Sequence, residues 1–455
     1  MRFKCIAKDY GSPMIHVIAY CRASCTGIAD LISEEPTRWL LVFENRNWQW
    51  CIEEEIFLKH GRKVLDSLEN PEFFSLVNKK SREFIDLLKR KILDYRERDW
   101  SKCSNEELAS AFEELYESWV EMNTWGHLPN VVDFDHYLFS SQLTELLEKR
   151  INDRNVDLTV AEAFAVLTMP LEKSPLMKQE EDFFKLVRLI QQDSSATNSI
   201  KSHALEYDWL QFQYDGPVVL DEAYFIELID SEIKQGIDAE KKLLELREKT
   251  RETQRKQVEY AELLGLTEKD SYWFEVARVF SFLKLLRKDV VFQASCWTRG
   301  LFTEISKRIG LDEIQVRHLT LSEVKQALMN GFFDSALARE RVKFSSFLIN
   351  ENGDAAYVGD EALKLKDKII VEETDFNVKE LHGSPASPGT ARGHAKIVNK
   401  ASDMAKMKPG DVLVSHATNP NLVPAMKKAS AILTDEGGIT CHAAIVSREL
   451  GIPCI

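Results

Sequence analysis

Apolar and polar positions follow three different patterns along this chain. Before residue 57, the segments PMIHVIAYC (13–21) and RWLLVFENRNWQWCIEEE (38–55) are rich in β-branched and aromatic residues, which predicts strands. Asn45-Arg46-Asn47 lies between two apolar runs and predicts a hairpin turn. From about residue 57, apolar residues recur every three or four positions, and this period predicts a largely helical region.

One stretch of the helical region, 232–262, is densely charged and has no large apolar residue from 247 to 257. It predicts a solvated helix or helical hairpin that projects from the body, and an arm that binds a partner is the more specific alternative. The run YWFEVARVFSFLKLLRK (272–288) predicts a heavily apolar helix. Two short strands are expected around Asn352-Gly353.

The pattern changes again near residue 371, where a polar stretch followed by Pro385 and Pro388 predicts a tether between domains. Beyond this tether, short apolar strands alternate with helices, which predicts a small α/β unit. The predicted strands are 395–398, 411–415 and 431–434, and the predicted helices are 421–429 and 441–450.

The predicted fold is therefore multidomain. A mainly α-helical N-terminal domain (1–370) is partly β at 1–56 and carries the charged helical arm (232–262). A hinge or linker (371–384) connects it to the α/β domain (385–455).

Composition narrows the class of protein. Hydrophobic residues make up 44% and charged residues 29% of the chain, as in soluble globular proteins, and no membrane span or signal peptide is expected. The formal net charge of -14 opposes binding to nucleic acid. Eight scattered cysteines predict reduced thiols in a cytoplasmic protein, and Cys21 and Cys25 have no second ligand pair with which to form a metal site.

The segment TDEGGITCHAAIVSRELGIPCI (434–455) places one histidine, His442, near the start of a predicted helix. Thr440 is suited to be the N-cap residue. The positive end of the helix dipole disfavours the imidazolium, and the neutral imidazole is the nucleophilic form. Gly437 and Gly438 would let a phosphorylated partner approach the backbone. The pattern thus fits a histidine that accepts and passes on a phosphoryl group, although on spacing alone His442 could equally fill a tight turn.

The same residues carry a family resemblance. GGITCHAAIVSRELGIPCI, the preceding run from DVLVSHATNP, and SPASPGTARGHAKIV resemble the phosphohistidine domain of the phosphoenolpyruvate-utilising enzymes. This group includes phosphoenolpyruvate synthase, pyruvate phosphate dikinase and rifampicin phosphotransferase. The resemblance implies that His442 is phosphorylated and that the α/β domain swivels between two active sites. Gly437, Gly438, Thr440, Cys441 and Arg448 fall in register with the motif, as phosphate-binding or supporting residues.

Upstream, the resemblance is weaker and leaves most of 1–150 uncovered. Segments between residues 167 and 362 resemble the helical domain of smaller family members and, distantly, the acceptor-binding domain of rifampicin phosphotransferase. Within this part of the chain, we expect the side chains of His203, Tyr207 and Trp209 to pack in the core or at an interface. Three arginines are candidate phosphate clamps because guanidinium matches phosphoryl geometry, but structural roles are the commoner outcome for each: Arg278, Arg287 and Arg299.

Two departures from the family shape the functional hypothesis. No Gly-rich nucleotide-binding region and no GxxxxGK[ST] motif is found, so a separate ATP-grasp subunit is expected to supply the phosphoryl group. The chain also ends just as a further strand is expected, so the α/β domain is predicted to be incomplete.

The leading hypothesis is a phosphotransferase component that carries phosphate on His442 to a small-molecule acceptor bound by the helical domain. The resemblance implies Mg²⁺ and ATP, or phosphoenolpyruvate, as cofactors, but no residues of this sequence are identified as binding them. Neither nucleic acid nor a membrane is an expected partner. Two alternatives stay open: a fragment of a phosphoenolpyruvate synthase or pyruvate dikinase, and a non-catalytic scaffold subunit.

Overall fold

Two regions of different secondary structure follow one another along the chain. The computed structural model describes residues 2–10, 15–45, 47–134, 136–173, 175–193, 198–212, 219–370, 380–381, 383, 385–399, 401–418, 422–435 and 441–455. A mainly helical region extends to residue 370, and a smaller region with its own sheet follows from residue 385.

The helices of the first region account for most of its length. Their bounds are α1 (Ile15–Arg22), α2 (Ile28–Ile32), α3 (Glu54–Leu68), α4 (Pro71–Glu97), α5 (Asn105–Gly126), α6 (Leu128–Val131), α7 (Leu138–Arg154), α8 (Val160–Leu167), α9 (Pro175–Gln192), α10 (Asn198–Tyr207), α11 (Glu222–Lys234), α12 (Ala239–Leu264), α13 (Glu268–Trp297), α14 (Arg299–Ile309), α15 (Glu313–Val316), α16 (Leu321–Asn330), α17 (Ser335–Lys343) and α18 (Gly359–Lys366). A π-helical turn, Ala23–Gly27, joins α1 to α2, and Trp100–Lys102 is a 3₁₀ turn.

A six-stranded sheet unites the two ends of this region. Its strands are β1 (Phe3–Tyr10), β2 (Trp39–Glu44), β3 (Asn47–Ile52), β4 (Phe344–Asn350), β5 (Gly353–Tyr357) and β6 (Ile369–Ile370). The order is β5-β4-β2-β3-β1-β6, and every pair is antiparallel except β1 with β6. Both sequence-predicted hairpins, β2–β3 and β4–β5, are confirmed. Their union in one sheet was not foreseen, because β2 pairs with β4 across about 300 residues of sequence.

The largest apolar cluster of the first region receives residues from α1, α4, α5 and α13. Helix α13 confirms the heavily apolar helix expected at 272–288, and it is buried on most of its sides. Its half-buried positions include Lys284, Arg287 and Lys288, which lie on neighbouring turns. This largely buried helix therefore carries three basic side chains on neighbouring turns.

The expectation that 13–21 is a strand is wrong. Residues 15–22 form helix α1, and its residues from Ile15 to Cys21 are all buried. A helix that is buried on every side needs no polar face, so its β-branched residues do not predict a strand. The window Ile15–Ile32 is long and apolar enough to cross a membrane by composition, with a mean hydropathy of 1.2, but 72% of it is buried within the protein.

The charged segment 232–262 is helical but does not project from the body, so this part of the prediction is wrong. Helix α12 packs through Leu243 into a second apolar cluster that also contains Phe225 and Ile229 of α11. Farther along, Gln257 donates from Nε2 to the backbone carbonyls of Val166 and Met169 at 2.8 Å each. A few buried positions hold the helix against the body, while the charges remain solvated.

The second region matches the predicted α/β unit closely. Its elements are β7 (Ala395–Ile397), a 3₁₀ turn (Ala401–Lys406), β8 (Val412–Ser415), α19 (Val423–Met426), β9 (Ala431–Thr434) and α20 (His442–Leu450). Strands β7, β8 and β9 are parallel, and Cys454 adds bridges to Ile432 and Ser387. The predicted linker, 371–384, stays a prediction, since 371–379, 382 and 384 lie outside the described residues.

Candidate functional site

His442 is the first residue of helix α20. The N-cap is Cys441, whose Sγ accepts from the backbone N–H of Ala444 at 3.4 Å, so the sequence-based choice of Thr440 as N-cap is wrong by one residue. Gly437, Gly438 and Thr440 lie outside the described residues, and their expected roles stay predictions. The placement of His442 in the first helical turn is confirmed.

One ring nitrogen of His442 has a defined partner. The Oγ1 atom of Thr418 lies 2.8 Å from Nδ1. When the ring hydrogen is on Nδ1 and is donated to Thr418, the lone pair lies on Nε2. Thr418 thus engages Nδ1 and orients the ring, which leaves Nε2 as the nitrogen directed away from this contact.

His442 lines a cavity of about 220 Å³ between the two regions. The second region contributes Ala417, Thr418, Cys441, His442 and Ala443 to the wall. The first region contributes side chains from its sheet, from α1, α5, α6 and α13, and from the turn after α6: Ala7, Lys8, His16, Tyr20, Trp50, Asn123, Asn130, Asp133, Phe134, Lys284, Leu285, Arg287, Lys288 and Val291. A candidate carrier histidine therefore faces a largely preformed polar and aromatic pocket.

The surroundings keep the half-buried imidazole neutral. Burial lowers the pKa of His442 well below its ordinary 6.5, and the positive charge of Lys288 lowers it further. Lys288 itself donates from Nζ to the backbone carbonyl of Thr418 at 2.9 Å. One lysine of α13 thus contacts the residue that orients the histidine.

A lysine and a carboxylate lie side by side in the same cavity. Burial lowers the pKa of Lys284, the carboxylate of Asp133 opposes this shift, and Arg287 adds to it. Asp133 is buried and accepts from both the backbone N–H and the hydroxyl of Ser140, at 2.9 and 2.6 Å. These hydrogen bonds fix the carboxylate on the side of the cavity formed by the first region.

Arg287 is held in a defined orientation. Its Nη1 and Nη2 atoms donate to the side-chain oxygens of Asn123 and Asn130, at 3.1 and 3.4 Å. Its guanidinium carbon lies 5.4 Å from the centre of the Tyr20 ring. The hydroxyl of Tyr20 is hydrogen bonded to Nε2 of the fully buried His127.

Arg448 lies away from the imidazole and joins the two regions. Its Nε donates to the carbonyl of Ala386 at 2.6 Å, and Nη1 donates to Oγ1 of Thr168 at 3.3 Å. The guanidinium also lies 5.7 Å from the ring centre of Phe164 on α8. The residue predicted to support the phosphohistidine loop is thus placed to hold the second region against the helical body.

Among the other residues that the sequence singled out, one arginine lines the cavity and the rest lie elsewhere. Arg287 lines the cavity, whereas Arg278 donates to the carbonyl of Leu167 and Arg299 lies over the ring of Phe212. His203 and Tyr207 pack in the core as expected, as does Trp209.

Most cavity residues of the first region could not be predicted from the sequence, because they come from elements that are far apart along the chain. One signal was available: Lys284, Arg287 and Lys288 recur at helical spacing between the apolar residues of α13.

Within the described residues, no group of three His, Cys, Asp or Glu side chains is arranged to hold a metal ion.

Comparison with known proteins agrees with the geometry around His442. Residues 407–455 match the family model described as the mobile domain of phosphoenolpyruvate-utilising enzymes. This segment is therefore similar to that mobile domain, and the second region is called the mobile domain below. The family model covers β8, β9 and α20, and therefore includes both Thr418 and His442.

Proteins named phosphoenolpyruvate synthase are similar to part of the chain. The probable enzyme of Methanothermobacter thermautotrophicus is 56% identical over 86 residues, 18% of this chain and 13% of that protein. The enzyme of Pyrococcus furiosus is 54% identical over 95 residues, 20% of this chain and 12% of that protein. The phosphoenolpyruvate synthase of Pseudomonas aeruginosa is 59% identical over 63 residues, 14% of this chain and 8% of that protein. The matches thus span about a tenth of the relatives' length.

Proposed function

We propose that this chain is a phosphotransferase component in which the mobile domain carries a phosphoryl group on His442 to an acceptor bound in the cavity. The observation that carries this proposal is the position of His442, which lines a pocket built mainly by the helical region. A carrier histidine facing a separate pocket is the arrangement that delivery to an acceptor requires.

The transfer can be written with its atoms balanced. In the loaded state the phosphorus is bonded to Nε2, and Nδ1–H is donated to Thr418. An acceptor oxygen attacks the phosphorus, the P–O bond forms and the P–Nε2 bond breaks. The electron pair of the broken P–Nε2 bond stays on Nε2, which leaves a neutral imidazole with its hydrogen on Nδ1, and the proton of a hydroxyl acceptor passes to water. The ring returns to the neutral form that its low pKa favours.

We further propose that the phosphoryl donor binds elsewhere, on a separate nucleotide-binding subunit of the ATP-grasp type. Mg²⁺ would act with the nucleotide there. The support is the similarity to the phosphoenolpyruvate-utilising enzymes, in which an ATP-grasp domain makes phosphohistidine from ATP. To be loaded by such a subunit, the mobile domain must leave the cavity.

Radiolabelling tests the proposal. The full chain is incubated with labelled phosphoenolpyruvate, or with labelled ATP and candidate ATP-grasp proteins. We expect a base-stable, acid-labile label that is absent from His442→Ala and unchanged in His416→Ala, a half-exposed histidine of the same domain. Absence of label with every donor would contradict the proposal and favour the scaffold alternative.

A second candidate function rests on the relatives. Because the similar proteins are named phosphoenolpyruvate synthase, the chain could belong to an enzyme of that kind. We would then expect pyruvate to discharge labelled His442 and to yield phosphoenolpyruvate. Discharge by another acceptor, with no effect of pyruvate, favours the first proposal.

A further inference from the structure

We propose that the last turn of α8 is a docking site for Arg448 of the mobile domain, and that Gln257 and Arg278 are positioning residues that hold this turn in place. The inference rests on the proposed function in one respect, because the loading step requires the mobile domain to leave the helical body and return. It follows from the hydrogen bonds that converge on this turn from the mobile domain and from helices α12 and α13.

The hydroxyl of Thr168 is oriented to receive Arg448. Thr168 is buried, and its Oγ1 donates to the backbone carbonyl of Phe164 at 2.7 Å. Because a hydroxyl has only one hydrogen, this bond leaves the lone pairs of Oγ1 for another donor, and Nη1 of Arg448 donates to them at 3.3 Å. The ring centre of Phe164 lies 5.7 Å from the guanidinium carbon. One helical turn thus offers Arg448 both an acceptor and an aromatic ring.

Side chains of the helical body bind the carbonyls of the same turn. Helix α8 ends at Leu167, and the carbonyls at the end of a helix lack partners within it. The Nε2 atom of Gln257 donates to the carbonyls of Val166 and Met169 at 2.8 Å each. The Nη1 atom of Arg278 donates to the carbonyl of Leu167 at 3.0 Å. One amide and one guanidinium thus hold three carbonyls within four residues.

The burial of Gln257 contrasts with its surroundings on α12. Residues 254–256 and 258–259 of this charged helix are exposed, whereas Gln257 is only 7% exposed. Burying an amide costs free energy unless its hydrogen bonds to water are replaced, and here both N–H groups bind α8. The positive charge of Arg278 adds a favourable interaction with the C-terminal end of the helix dipole. Both side chains therefore fix the end of α8.

A fixed turn matters for docking because ordering a binding site costs free energy. Without these hydrogen bonds, the end of α8 would fray while the mobile domain is undocked, and docking would have to order it again. A turn that is already held in place avoids this cost, so docking is stronger. Gln257 and Arg278 thus act on docking through α8, and not through contact with the reacting imidazole.

The test measures how often the mobile domain undocks, from the rate at which diethyl pyrocarbonate modifies His442 in the full chain at pH 7. This reagent acylates neutral imidazoles, and peptide mass spectrometry gives the rate for each histidine. His442 faces the cavity in the docked state, so undocking exposes it to the reagent. We expect Gln257→Glu, which removes both N–H donors, to raise the rate at His442 at least about fivefold, the effect of losing one hydrogen bond. Arg278→Met should act in the same direction, and Arg278→Lys, which keeps the charge and a donor, should stay within about twofold of the wild type.

A matched control comes from the same helix. Gln254→Glu makes the same chemical change at an exposed position one turn earlier on α12, and it should leave the rate at His442 unchanged. His394, whose side chain is 92% exposed, gives the reactivity of the reagent in every sample. Thr168→Val should also raise the rate at His442. Adding Gln257→Glu to Thr168→Val should give less than the product of the two separate effects, because both changes act on one contact.

Urea unfolding shows which variants are folded, and either Gln257→Glu or Arg278→Met is sufficient for the test. An unchanged rate at His442 in a folded variant of this pair would overturn the inference. An equal rise in Gln254→Glu, or fully multiplicative effects of Thr168→Val and Gln257→Glu, would overturn it as well. The experiment uses no phosphoryl donor, so failure of phosphoryl transfer and failure of this docking site are distinguishable.

Discussion

At the scale of single residues, the hydroxyl of Thr418 determines which nitrogen of His442 can react. With Nδ1 engaged at 2.8 Å, the phosphoryl group should attach to Nε2. We expect Thr418→Val to slow the phosphorylation of His442 about fivefold, since one orienting hydrogen bond is worth about 1 kcal/mol. Thr418→Ser should stay within about twofold of the wild type.

Phosphorus–nitrogen couplings in ¹⁵N-histidine-labelled protein check the assignment. Coupling to Nε2 in the wild type is the expected result. Coupling to Nδ1, or full activity of the valine variant, would show that the hydroxyl does not orient the ring.

His203 gives a second prediction at this scale. Burial lowers its pKa to about 4, and it packs edge to face on Phe225. Because the unfolded chain binds this proton near pH 6.5 and the folded one does not, stability falls as the pH drops below 6.5, by up to about 1.4 kcal/mol per pH unit. We expect His203→Phe to gain stability relative to the wild type as pH falls from 7 to 5, measured by urea unfolding. A constant difference would contradict this.

The predictability of the site also differs residue by residue. His442 was found because a local motif carries it, and the first turn of α20 is fixed by nearby sequence. His16, Tyr20 and Asp133 were missed because they reach the cavity only through tertiary packing. Arg287 was singled out for its guanidinium, but nothing local distinguished it from Arg278.

At the scale of elements, local signals decided which helices and strands could be predicted. The hairpin β2–β3 and the alternation of β8, α19 and β9 could be predicted, because turn residues and the spacing of apolar residues indicate them within a short stretch of sequence. Helix α1 and the packing of α12 depend on what surrounds them, and both expectations were wrong. Burial by distant elements overrides local propensity in each case.

The contact of α20 with α8 gives an element-scale prediction. Arg448→Lys loses the paired bonds to Ala386 and Thr168, because an ammonium cannot reproduce the fork of a guanidinium. We expect transfer from phosphorylated His442 to the acceptor to slow at least about tenfold, a cost of roughly 1.4 kcal/mol or more. Labelling of His442 by the donor should change less than about twofold, because that step does not use the contact with Thr168.

A nearby ion pair supplies the control. Lys427 and Glu180 also join the two regions, 3.8 Å apart, with side chains 46% and 33% exposed. An exposed pair of this kind contributes at most about 1 kcal/mol, so Lys427→Met should have little effect on transfer. Equal effects of Lys427→Met and Arg448→Lys would argue against a specific role of the guanidinium. A parallel loss of donor labelling would mean that Arg448 supports only the fold of the mobile domain.

At the scale of the whole molecule, the structure presents the mobile domain docked on the helical body. Lys288, Arg448 and the cavity wall around His442 make this contact. The sequence predicted two regions and a carrier histidine, but not where the second region rests, because no local pattern encodes a surface that two distant segments form together. The proposed loading step requires a second, undocked arrangement.

Docking should therefore depend on pH through His442. In the docked state its pKa lies well below 6.5, whereas an exposed imidazole titrates near 6.5, so the docked state binds fewer protons. As pH falls below about 6.5, docking should weaken by up to about 1.4 kcal/mol per pH unit, while above that value it should be constant. Small-angle scattering between pH 8 and 5.5 would detect the undocked form as an increased radius of gyration.

A second titrating group makes a control variant necessary. Burial raises the pKa of Asp289 to about 7, Lys89 and Lys288 oppose this shift, and Glu449 of α20 adds to it. Asp289 thus takes up a proton in the same pH range. Because burial raises its pKa, its titration strengthens docking as the pH falls, whereas the titration of His442 weakens docking. His442→Asn keeps a polar side chain against Thr418 and removes only the imidazole titration. We expect this variant to lose the undocking that the wild type undergoes between pH 6.5 and 5.5; an identical pH response in both proteins would show that the imidazole does not control docking.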